Sequence, residues 1–353
     1  MGAPEPRLFA GADGDPLVLE VLAEYGELTR ARLRHYLPDA VPGSYLFELV
    51  RDYPLRGGKM LRPSLCIAAA RAWGASAEEA AASAVSIELM HNALLIHDDI
   101  EDASEKRRGA PTLHSLHGVP LALNAGDALG LLSLRPLKDN VRLLGMRVAL
   151  RIFEETERMA WETTEGQALE LGWRKDNRTD VDDEHYLTMV LKKTCWLTTI
   201  HPLRVGCLIG ARGRQPLDPL IRLGFFFGAA FQIQDDLLNL DGGNGYGKEV
   251  DGDLYEGKRT LMVIHALREA APRERTRLQR FLGAPRAERG PADVRWVRAL
   301  IARSAAIEHA QTVARALAGA ALHECDRVFE SATDGRDQRF IRSLVTWVLR
   351  RMH

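Results

Sequence analysis

Apolar residues recur at helical spacing along most of this chain, and runs that alternate apolar and polar residues are sparse. A period of 3.6 residues is typical of amphipathic helices and a period of two is typical of strands, so the pattern predicts an all-α protein. Residues 1–15 are rich in Gly, Pro and Asp and are predicted to form a flexible arm. The helices predicted from the pattern cover about 16–37, 60–73, 77–103, 121–129, 140–172, 183–210, 217–241, 259–267 and 292–353.

The helix predicted over 77–103 has the clearest start signal in the chain. Ser76 followed by Glu79 is a capping-box pattern, which satisfies the free backbone N–H groups at a helix start. No Gly or Pro interrupts the stretch, and alanine is frequent. One long helix is therefore expected here.

This helix is apolar for most of its length and ends in acid. At 3.6 residues per turn, His91, Asp98 and Asp102 share one stripe, with Asp99 beside it. Three carboxylates next to apolar residues repel one another and favour a bound cation, for which Mg²⁺ is the usual choice. A solvated helix end is the alternative interpretation of this stretch taken alone.

A second apolar helix, predicted over 217–241, also ends in acid with Asp235, Asp236 and Asn239. If the two acidic ends face each other across a helical bundle, their carboxylates line an opening above an apolar interior. Metal ions in that opening would bind a diphosphate, and the interior would hold an attached hydrocarbon. Such a layout would stabilise a carbocation formed when the C–O bond to diphosphate breaks.

Cationic residues occur in the chain both before and after the acidic helix of 77–103. The turn at 57–58 precedes Lys59, Arg62 and a helix start, which together can bind an anion; solvated basic residues are the alternative. Arg107 and Arg108 follow the first three aspartates. They either pair with those aspartates or bind a phosphate held on its other side by metal.

Composition excludes several classes of protein. The 353 residues carry a net charge of −1, which gives no global bias toward nucleic acid or an anionic membrane. Four scattered cysteines show no metal-binding or disulfide spacing and indicate a reducing compartment. No apolar run approaches the roughly 20 residues that span a bilayer, and no signal peptide is recognised. A cytoplasmic protein is expected.

The motifs of this chain, in their order, resemble those of the trans-isoprenyl diphosphate synthases of the polyprenyl synthetase family, and geranylgeranyl diphosphate synthases in particular. The resemblance covers about 45–345. The motifs are Gly57-Gly58-Lys59-x-x-Arg62-Pro63, Asp98-Asp99-x-x-Asp102, Arg107-Arg108-Gly109, Asn124-Ala-Gly-Asp127, Gly166-Gln167, Lys193-Thr194, Phe231-Gln232-x-x-Asp235-Asp236, Gly247-Lys248 and Gly257-Lys258.

The resemblance implies the isoprenoid synthase fold, a single large helical bundle around a central apolar cavity, formed by residues 16–353. It implies a Mg²⁺-dependent enzyme that condenses isopentenyl diphosphate with an allylic diphosphate (dimethylallyl, geranyl or farnesyl) and releases pyrophosphate. A homodimer is the oligomeric state that the family implies. No nucleic-acid partner and no transmembrane segment are expected.

The resemblance also assigns roles to residues. Asp98, Asp99 and Asp102 would bind two Mg²⁺ ions, and Asp235 with Asp236 a third. The allylic diphosphate would contact Arg107, Lys193 and Lys258, with help from Lys248. Isopentenyl diphosphate would contact Lys59, Arg62, His91 and Arg108. Thr194 and Gln232 would line the zone where the cation forms.

Two residues depart from the family pattern. Asn239 stands where the second acidic motif usually ends in Asp, although its amide oxygen could still reach a metal ion or its water. Met60 stands where the family often has Arg. Activity is expected to survive the change at position 239, and the change at position 60 bears on the predicted site for isopentenyl diphosphate.

Product length in this family depends on residues just before the first acidic motif, which form the floor of the hydrocarbon tunnel. Ala93 stands five positions before Asp98, with Leu94 next and Met90 one turn deeper. Large aromatic residues there are typical of short-chain enzymes. The small Ala93 predicts a product of C20 or somewhat longer, not C15, unless Ala93 is merely part of the helix core.

Two other functions stay open at this point. A terpene cyclase on the same fold would use only the allylic substrate, which would leave the predicted isopentenyl diphosphate residues without a purpose. A non-catalytic subunit of a heteromeric synthase typically lacks the first acidic motif, which is intact here. Incubation with Mg²⁺ and farnesyl diphosphate, with and without isopentenyl diphosphate, distinguishes the prenyltransferase, the cyclase and the non-catalytic subunit.

Overall fold

The structure is a computed structural model, and it describes residues 15–38, 43–241, 249–330, 332 and 335–350. The predicted arm of 1–15 therefore lies outside the described residues except for Asp15, and so does Lys248. Within the described residues, none of the helices combines the length and the apolar character needed to cross a membrane.

The described chain is almost entirely helical, as the sequence pattern predicts. In its first half the helices are α1 (Pro16–Arg34), α2 (Glu48–Leu55), α3 (Leu61–Ala72), α4 (Ala77–Glu101), α5 (Leu113–His117), α6 (Val119–Leu132), α7 (Leu134–Leu144) and α8 (Met146–Lys175). A short antiparallel pair, β1 (Lys106–Arg107) with β2 (Ala110–Pro111), follows α4.

The second half of the described chain continues the same architecture. Its helices are α9 (Asp183–Val190), α10 (His201–Gly210), α11 (Pro219–Asp241), α12 (Gly252–Glu256), α13 (Leu261–Glu269), α14 (Pro272–Gly283), α15 (Pro291–Arg303), α16 (Ala306–Val328) and α17 (Gly335–Arg350). Segments Gly43–Phe47 and Leu191–Ile200 are π-helical, and Arg286–Glu288 is a 3₁₀ turn.

The capping box predicted for α4 is present. The backbone N–H of Ser76 donates to Glu79 Oε2 at 2.8 Å, and the N–H of Glu79 donates to Ser76 Oγ at 3.3 Å. The helix ends slightly earlier than predicted, at Glu101, and Asp102 is its C-cap residue. The acidic motif therefore spans the last turn of α4 and its cap.

Two predicted helix boundaries were wrong. The predicted helix over 140–172 is divided at Gly145, whose φ of 83° ends α7 and starts α8. In the described part of 292–353, the predicted single helix is instead α15, α16 and α17, and Ala305, with φ 56°, separates α15 from α16. A positive φ cannot continue an α-helix, and apolar spacing alone does not reveal it.

Three apolar clusters form the core around α4. One joins α1, α3, α10 and α17, a second joins the π-helical segment, α11, α13 and α16, and a third joins α2, α4 and α6. The four cysteines, Cys66, Cys195, Cys207 and Cys325, are buried free thiols in the first two clusters.

Candidate active site

The acidic ends of α4 and α11 meet at one cleft, as the sequence predicts. Asp98 lines it from α4, and Asp235 with Asp236 from α11. Cationic and polar side chains complete the walls, and two apolar residues of the α9 region lie among them. The remaining lining residues are Glu170, Tyr186, Met189, Val190, Lys193, Thr194, Gln232, Asp253, Lys258, Arg259 and Thr260.

The first two aspartates of the α4 motif differ in environment. Asp99 is 1% exposed, accepts a 2.5 Å hydrogen bond from the Tyr53 hydroxyl and is paired with Arg107, whose Nε lies 2.9 Å from Oδ1. Asp98 is partly exposed and lies 3.2 Å from Arg107 Nη2 and 3.3 Å from Lys193 Nζ. Asp98 therefore faces the cleft, while Asp99 anchors Arg107 behind it.

The third aspartate of this motif, Asp102, is buried between two cations. Its Oδ1 lies 2.8 Å from Arg174 Nη2, and its Oδ2 lies 2.7 Å from Lys258 Nζ. Burial alone would raise the pKa of Asp102, but the charge of Lys258 and its other cationic neighbours outweighs burial and lowers the pKa. Asp102 is therefore held ionised.

The α11 motif repeats the same division of roles. Asp236 is buried and accepts hydrogen bonds from the Tyr186 hydroxyl at 2.8 Å and from Gln232 Nε2 at 2.7 Å. Burial, followed by the charge of Asp253, raises the pKa of Asp236 to about 8. Asp235 is less buried and lies at the cleft.

Asn239 contacts the segment that follows α11. Its Oδ1 accepts the backbone N–H of Asp253 at 3.0 Å, and its Nδ2 donates to the carbonyl of Glu249 at 3.4 Å. The side chain is buried, and Asp253 lies in the cleft wall. Asn239 thus fixes the position of Asp253, and its predicted contact with a metal ion stays a prediction.

Two lysines lie between the acidic helix ends. Lys193 Nζ lies 2.8 Å from Glu170 and 3.3 Å from Asp98, and Lys258 Nζ lies 2.6 Å from Glu256. Burial alone would lower the pKa of each lysine, but the neighbouring carboxylates outweigh it and raise both pKa values. Both lysines therefore carry a positive charge into the cleft.

The position of Lys193 depends on a close approach between α8 and the π-helical segment. A Cβ atom at Gly166 would lie 2.1 Å from the backbone nitrogen of Lys193, so only glycine fits there. Next to Lys193, the Thr194 hydroxyl donates to Gln232 Oε1 at 2.9 Å. The Gly166-Gln167 and Lys193-Thr194 motifs are thus two sides of one contact.

Three of the four residues predicted to contact isopentenyl diphosphate cluster around a buried carboxylate. Glu88 Oε2 lies 3.7 Å from His91 Nδ1, and its Oε1 lies 4.0 Å from Arg108 Nη2. Arg62 donates to the Thr198 hydroxyl at 2.8 Å. Lys59 is placed differently, with its Nζ 5.5 Å from the centre of the Trp347 ring.

Burial changes the ionisation of this cluster. It lowers the pKa of Arg62 to about 10, and together with the charge of Arg62 it lowers the pKa of His91 to about 4. His91 is therefore neutral at pH 7, so its ring can donate or accept hydrogen bonds there but adds no charge. The net positive charge comes from the arginines.

The predicted chain-length residues face different clusters. Ala93 is buried in the cluster of α2, α4 and α6, and its Cβ lies 3.9 Å from where a Cβ would stand at Gly130. Met90 and Leu94 are partly buried and pack against the cluster of the π-helical segment and α11. Their role in product length stays a prediction.

Several residues of the site were missed by the sequence interpretation. Tyr53 and Tyr186 belong to segments far from the aspartates that they contact, so no local signal identifies them. Glu88 lies three residues before His91 and Asp253 five before Lys258. Helical spacing and proximity to a motif were the available signals for those two.

The donor set at the cleft suits Mg²⁺ bound together with a diphosphate. Among the residues that the structure describes, no three His, Cys or carboxylate side chains converge as a preformed metal site. Mg²⁺ typically keeps several waters and binds one or two carboxylates plus substrate phosphates. Asp98 and Asp235, at the two walls of the cleft, meet that requirement.

Fold and site together define an all-α protein with opposed acidic helix ends and cationic residues between them. The sequence model of the family described as "Polyprenyl synthetase" matches residues 44–301. The chain therefore belongs to the polyprenyl synthetase family, which confirms the resemblance in its motifs.

Individual relatives are similar to this chain over most of their length. The short chain isoprenyl diphosphate synthase of Methanothermobacter thermautotrophicus is 36% identical over 76% of this chain and 80% of its own. The geranylfarnesyl diphosphate synthase of Aeropyrum pernix is 34% identical over 89% of this chain and 95% of its own. A geranylgeranyl pyrophosphate synthase structure from Corynebacterium glutamicum is complexed with isoprenyl diphosphate and magnesium. It superposes on this chain with a TM-score of 0.81 and 26% sequence identity, and the match covers 96% of this chain and 100% of that one.

Proposed function

We propose that this protein condenses isopentenyl diphosphate with an allylic diphosphate to give a prenyl diphosphate of C20 or somewhat longer. The observation that carries this proposal is the cleft between the acidic ends of α4 and α11, with Lys193 and Lys258 between them. Opposed carboxylates and cations are the groups that a diphosphate and its metal ions require.

The allylic diphosphate would bind at the cleft. Lys193 and Lys258 would contact its oxygens, with Arg107, which already lies beside Asp98, as a third cation. Lys248, outside the described residues, is proposed to help. Asp98 and Asp235, which line the cleft, would hold Mg²⁺. When bound, the metal would supply charge neutralisation that makes the diphosphate a better leaving group.

Isopentenyl diphosphate would bind at the cluster of Arg62, His91 and Arg108. Arg108 has φ 55° and donates to the Tyr53 carbonyl at 2.8 Å, so its guanidinium is fixed beside the turn at 57–58. The same Tyr53 contacts Asp99 through its hydroxyl, so one residue links the two sites.

The reaction needs positioning and charge stabilisation more than acid–base groups. The allylic C–O bond breaks, the alkene of isopentenyl diphosphate attacks C1, and a proton leaves to the released pyrophosphate. The hydroxyl of Thr194 and the amide of Gln232, joined at 2.9 Å, line the cleft where the cation would form. Fixed dipoles there stabilise positive charge better than mobile water does.

A second copy of the chain is the proposed partner. Large apolar side chains are exposed along α6 and α8, including Leu131 at 69%, Met146 at 66% and Trp161 at 70%. Exposed apolar residues that group into a patch mark interaction sites in soluble proteins. The proposed homodimer would cover it.

The test is incubation with Mg²⁺ and farnesyl diphosphate, with and without isopentenyl diphosphate, followed by product analysis. Elongated prenyl diphosphate only when both substrates are present supports the proposal. A hydrocarbon from the allylic substrate alone would indicate a cyclase, and no turnover by folded protein would indicate a non-catalytic subunit. Asp98→Asn, which removes one carboxylate of the cleft, serves as the inactive control.

A further inference from the structure

A buried amide lies between a carboxylate and an arginine of the proposed isopentenyl diphosphate site. Asn92, on α4, is fully buried. Its Nδ2 donates to Glu88 Oε1 at 2.9 Å and to the Glu88 carbonyl at 2.7 Å. Its Oδ1 accepts a hydrogen bond from Arg108 Nη1 at 3.2 Å. One amide therefore connects Glu88 to Arg108.

The carboxylate of Glu88 fixes which way this amide points. Burial alone would raise the pKa of Glu88, but its contact with His91 and the charge of Arg108 outweigh burial and lower the pKa to about 2. An ionised carboxylate only accepts hydrogen bonds, so it requires the NH2 group of Asn92 on its side. The reversed amide would place its oxygen against two acceptor oxygens of Glu88. The oxygen of Asn92 is therefore directed at Arg108, which can only donate.

The amide oxygen in turn limits the positions of the Arg108 guanidinium. Nη1 has two hydrogens and two acceptors, since it also donates to the Tyr53 carbonyl at 2.8 Å. Nη2 lies 4.0 Å from Glu88, which is too far for a hydrogen bond. The contacts of Nη1 therefore hold the plane of the guanidinium, while Nη2 can still donate to an incoming phosphate oxygen.

We propose that Asn92 is a positioning residue for Arg108, that Glu88 sets the direction of its amide, and that this chain of hydrogen bonds prepares Arg108 to bind isopentenyl diphosphate. This inference rests on the proposed function, because it needs Arg108 to contact that substrate. A guanidinium already held in one orientation loses less conformational entropy when the substrate binds. The effect belongs to the substrate at Arg108 and not to the allylic diphosphate at Lys193 and Lys258.

The experiment measures KM for each substrate separately in the full-length enzyme. Asn92→Ala removes one acceptor from Arg108 and leaves the Tyr53 carbonyl in place. Because a hydrogen bond to a charged group is lost, KM for isopentenyl diphosphate should rise about 3- to 30-fold. KM for the allylic substrate should change less than about twofold, and kcat less than about threefold.

The matched control is Asn140→Ala. Asn140 is also fully buried, and its Nδ2 also donates to a residue of α4, the Ser83 hydroxyl, at 2.9 Å. Ser83 lies in the first half of α4, before Glu88 and the acidic motif. Loss of the Asn140 amide should lower the melting temperature and leave both KM values unchanged.

Two further variants add readouts that a purely structural role would not move. In an Arg108→Gln background, Asn92→Ala should have no further effect on KM for isopentenyl diphosphate. Glu88→Gln tests the direction of the amide, because a Gln side chain can present either an acceptor or a donor to Asn92. Loss of a negative charge alone would lower KM for a diphosphate, whereas loss of the fixed amide direction should raise it.

Several outcomes would overturn the inference. Equal rises in both KM values, additive effects in the cycle, or a lower KM for isopentenyl diphosphate in Glu88→Gln would each do so. If Asn92→Ala unfolds below the assay temperature, Asn92→Ser replaces it, because a Ser hydroxyl can still donate to the Glu88 carbonyl but is too short to reach Arg108. A wild-type enzyme that fails to elongate would overturn the proposed function instead, so the two failures are distinguishable.

Discussion

The hydroxyl of Tyr53 donates a 2.5 Å hydrogen bond to Oδ2 of Asp99, and both side chains are 1% exposed. Burial, followed by the charge of Asp99, raises the pKa of Tyr53, so the phenol keeps its proton and acts as a donor. Tyr186 contacts Asp236 in the same way. In each acidic motif, a buried tyrosine therefore fixes the second aspartate and leaves the first at the cleft.

Replacing Tyr53 by Phe should weaken both the fold and the reaction. A hydrogen bond to a charged group contributes about 1.5–3 kcal/mol, so the melting temperature should fall. Asp99 would hold Arg107 less firmly, and kcat/KM for the allylic substrate should fall about tenfold. Melting curves and steady-state kinetics measure the two effects.

Tyr36→Phe is the control for that variant, since Tyr36 also donates to an aspartate, Asp139, at 2.6 Å, but away from the cleft. It should lower the melting temperature and leave kcat/KM unchanged. Equal kinetic losses in the two variants would show that the Tyr53 contact has no specific role at the site.

Adjacent lysines allow a second comparison. Lys193→Ala removes the cation between Glu170 and Asp98, and kcat/KM for the allylic substrate should fall about 10²- to 10³-fold. Lys192→Ala removes surface contacts with Glu162 and Glu165 and should change kcat/KM less than about twofold. Steady-state kinetics with saturating Mg²⁺ measure kcat/KM for both variants. Similar losses of kcat/KM in the two variants would contradict the assignment of Lys193 to the allylic diphosphate.

Product length gives a third prediction, at Ala93. Ala93→Tyr places a ring against Gly130 and should shorten the longest product if this side of α4 forms the tunnel floor. Leu94→Phe enlarges a side chain that packs toward the opposite cluster and tests the other wall. Chromatography of the dephosphorylated products gives the answer, and an unchanged product range in Ala93→Tyr would exclude Ala93 from the floor.

The proposed homodimer gives a fourth prediction. Leu150, 54% exposed on α8, is expected to lie in the interface, so Leu150→Glu should shift the protein toward monomer because a buried unpaired charge is unfavourable. Tyr45→Glu changes a 68% exposed residue outside α6 and α8 and should leave the dimer intact. Light scattering after gel filtration measures the mass, and a wild-type monomer would contradict the proposal.

Local features of the chain were predictable from the sequence. The capping box of Ser76 and Glu79 joins residues three apart, and the stripe that carries His91, Asp98 and Asp102 follows from helical periodicity. The pairing of two acidic helix ends was also inferred, because two such motifs on apolar helices have few other arrangements in a bundle. The capping box and the stripe needed only contacts between residues near in sequence. The pairing of the acidic ends needed the assumption that the helices form one bundle.

Tertiary structure decided what each member of a motif contacts. Asp98 and Asp99 are neighbours in sequence, yet only Asp99 meets Tyr53, which lies 46 positions away. Asn239 has the spacing of a metal ligand, but its amide contacts Glu249 and Asp253. The sequence by itself determined the helical character of the chain and the set of charged residues. Packing between distant segments determined which of those charges face the cleft, because burial and pairing depend on contacts that no local pattern encodes.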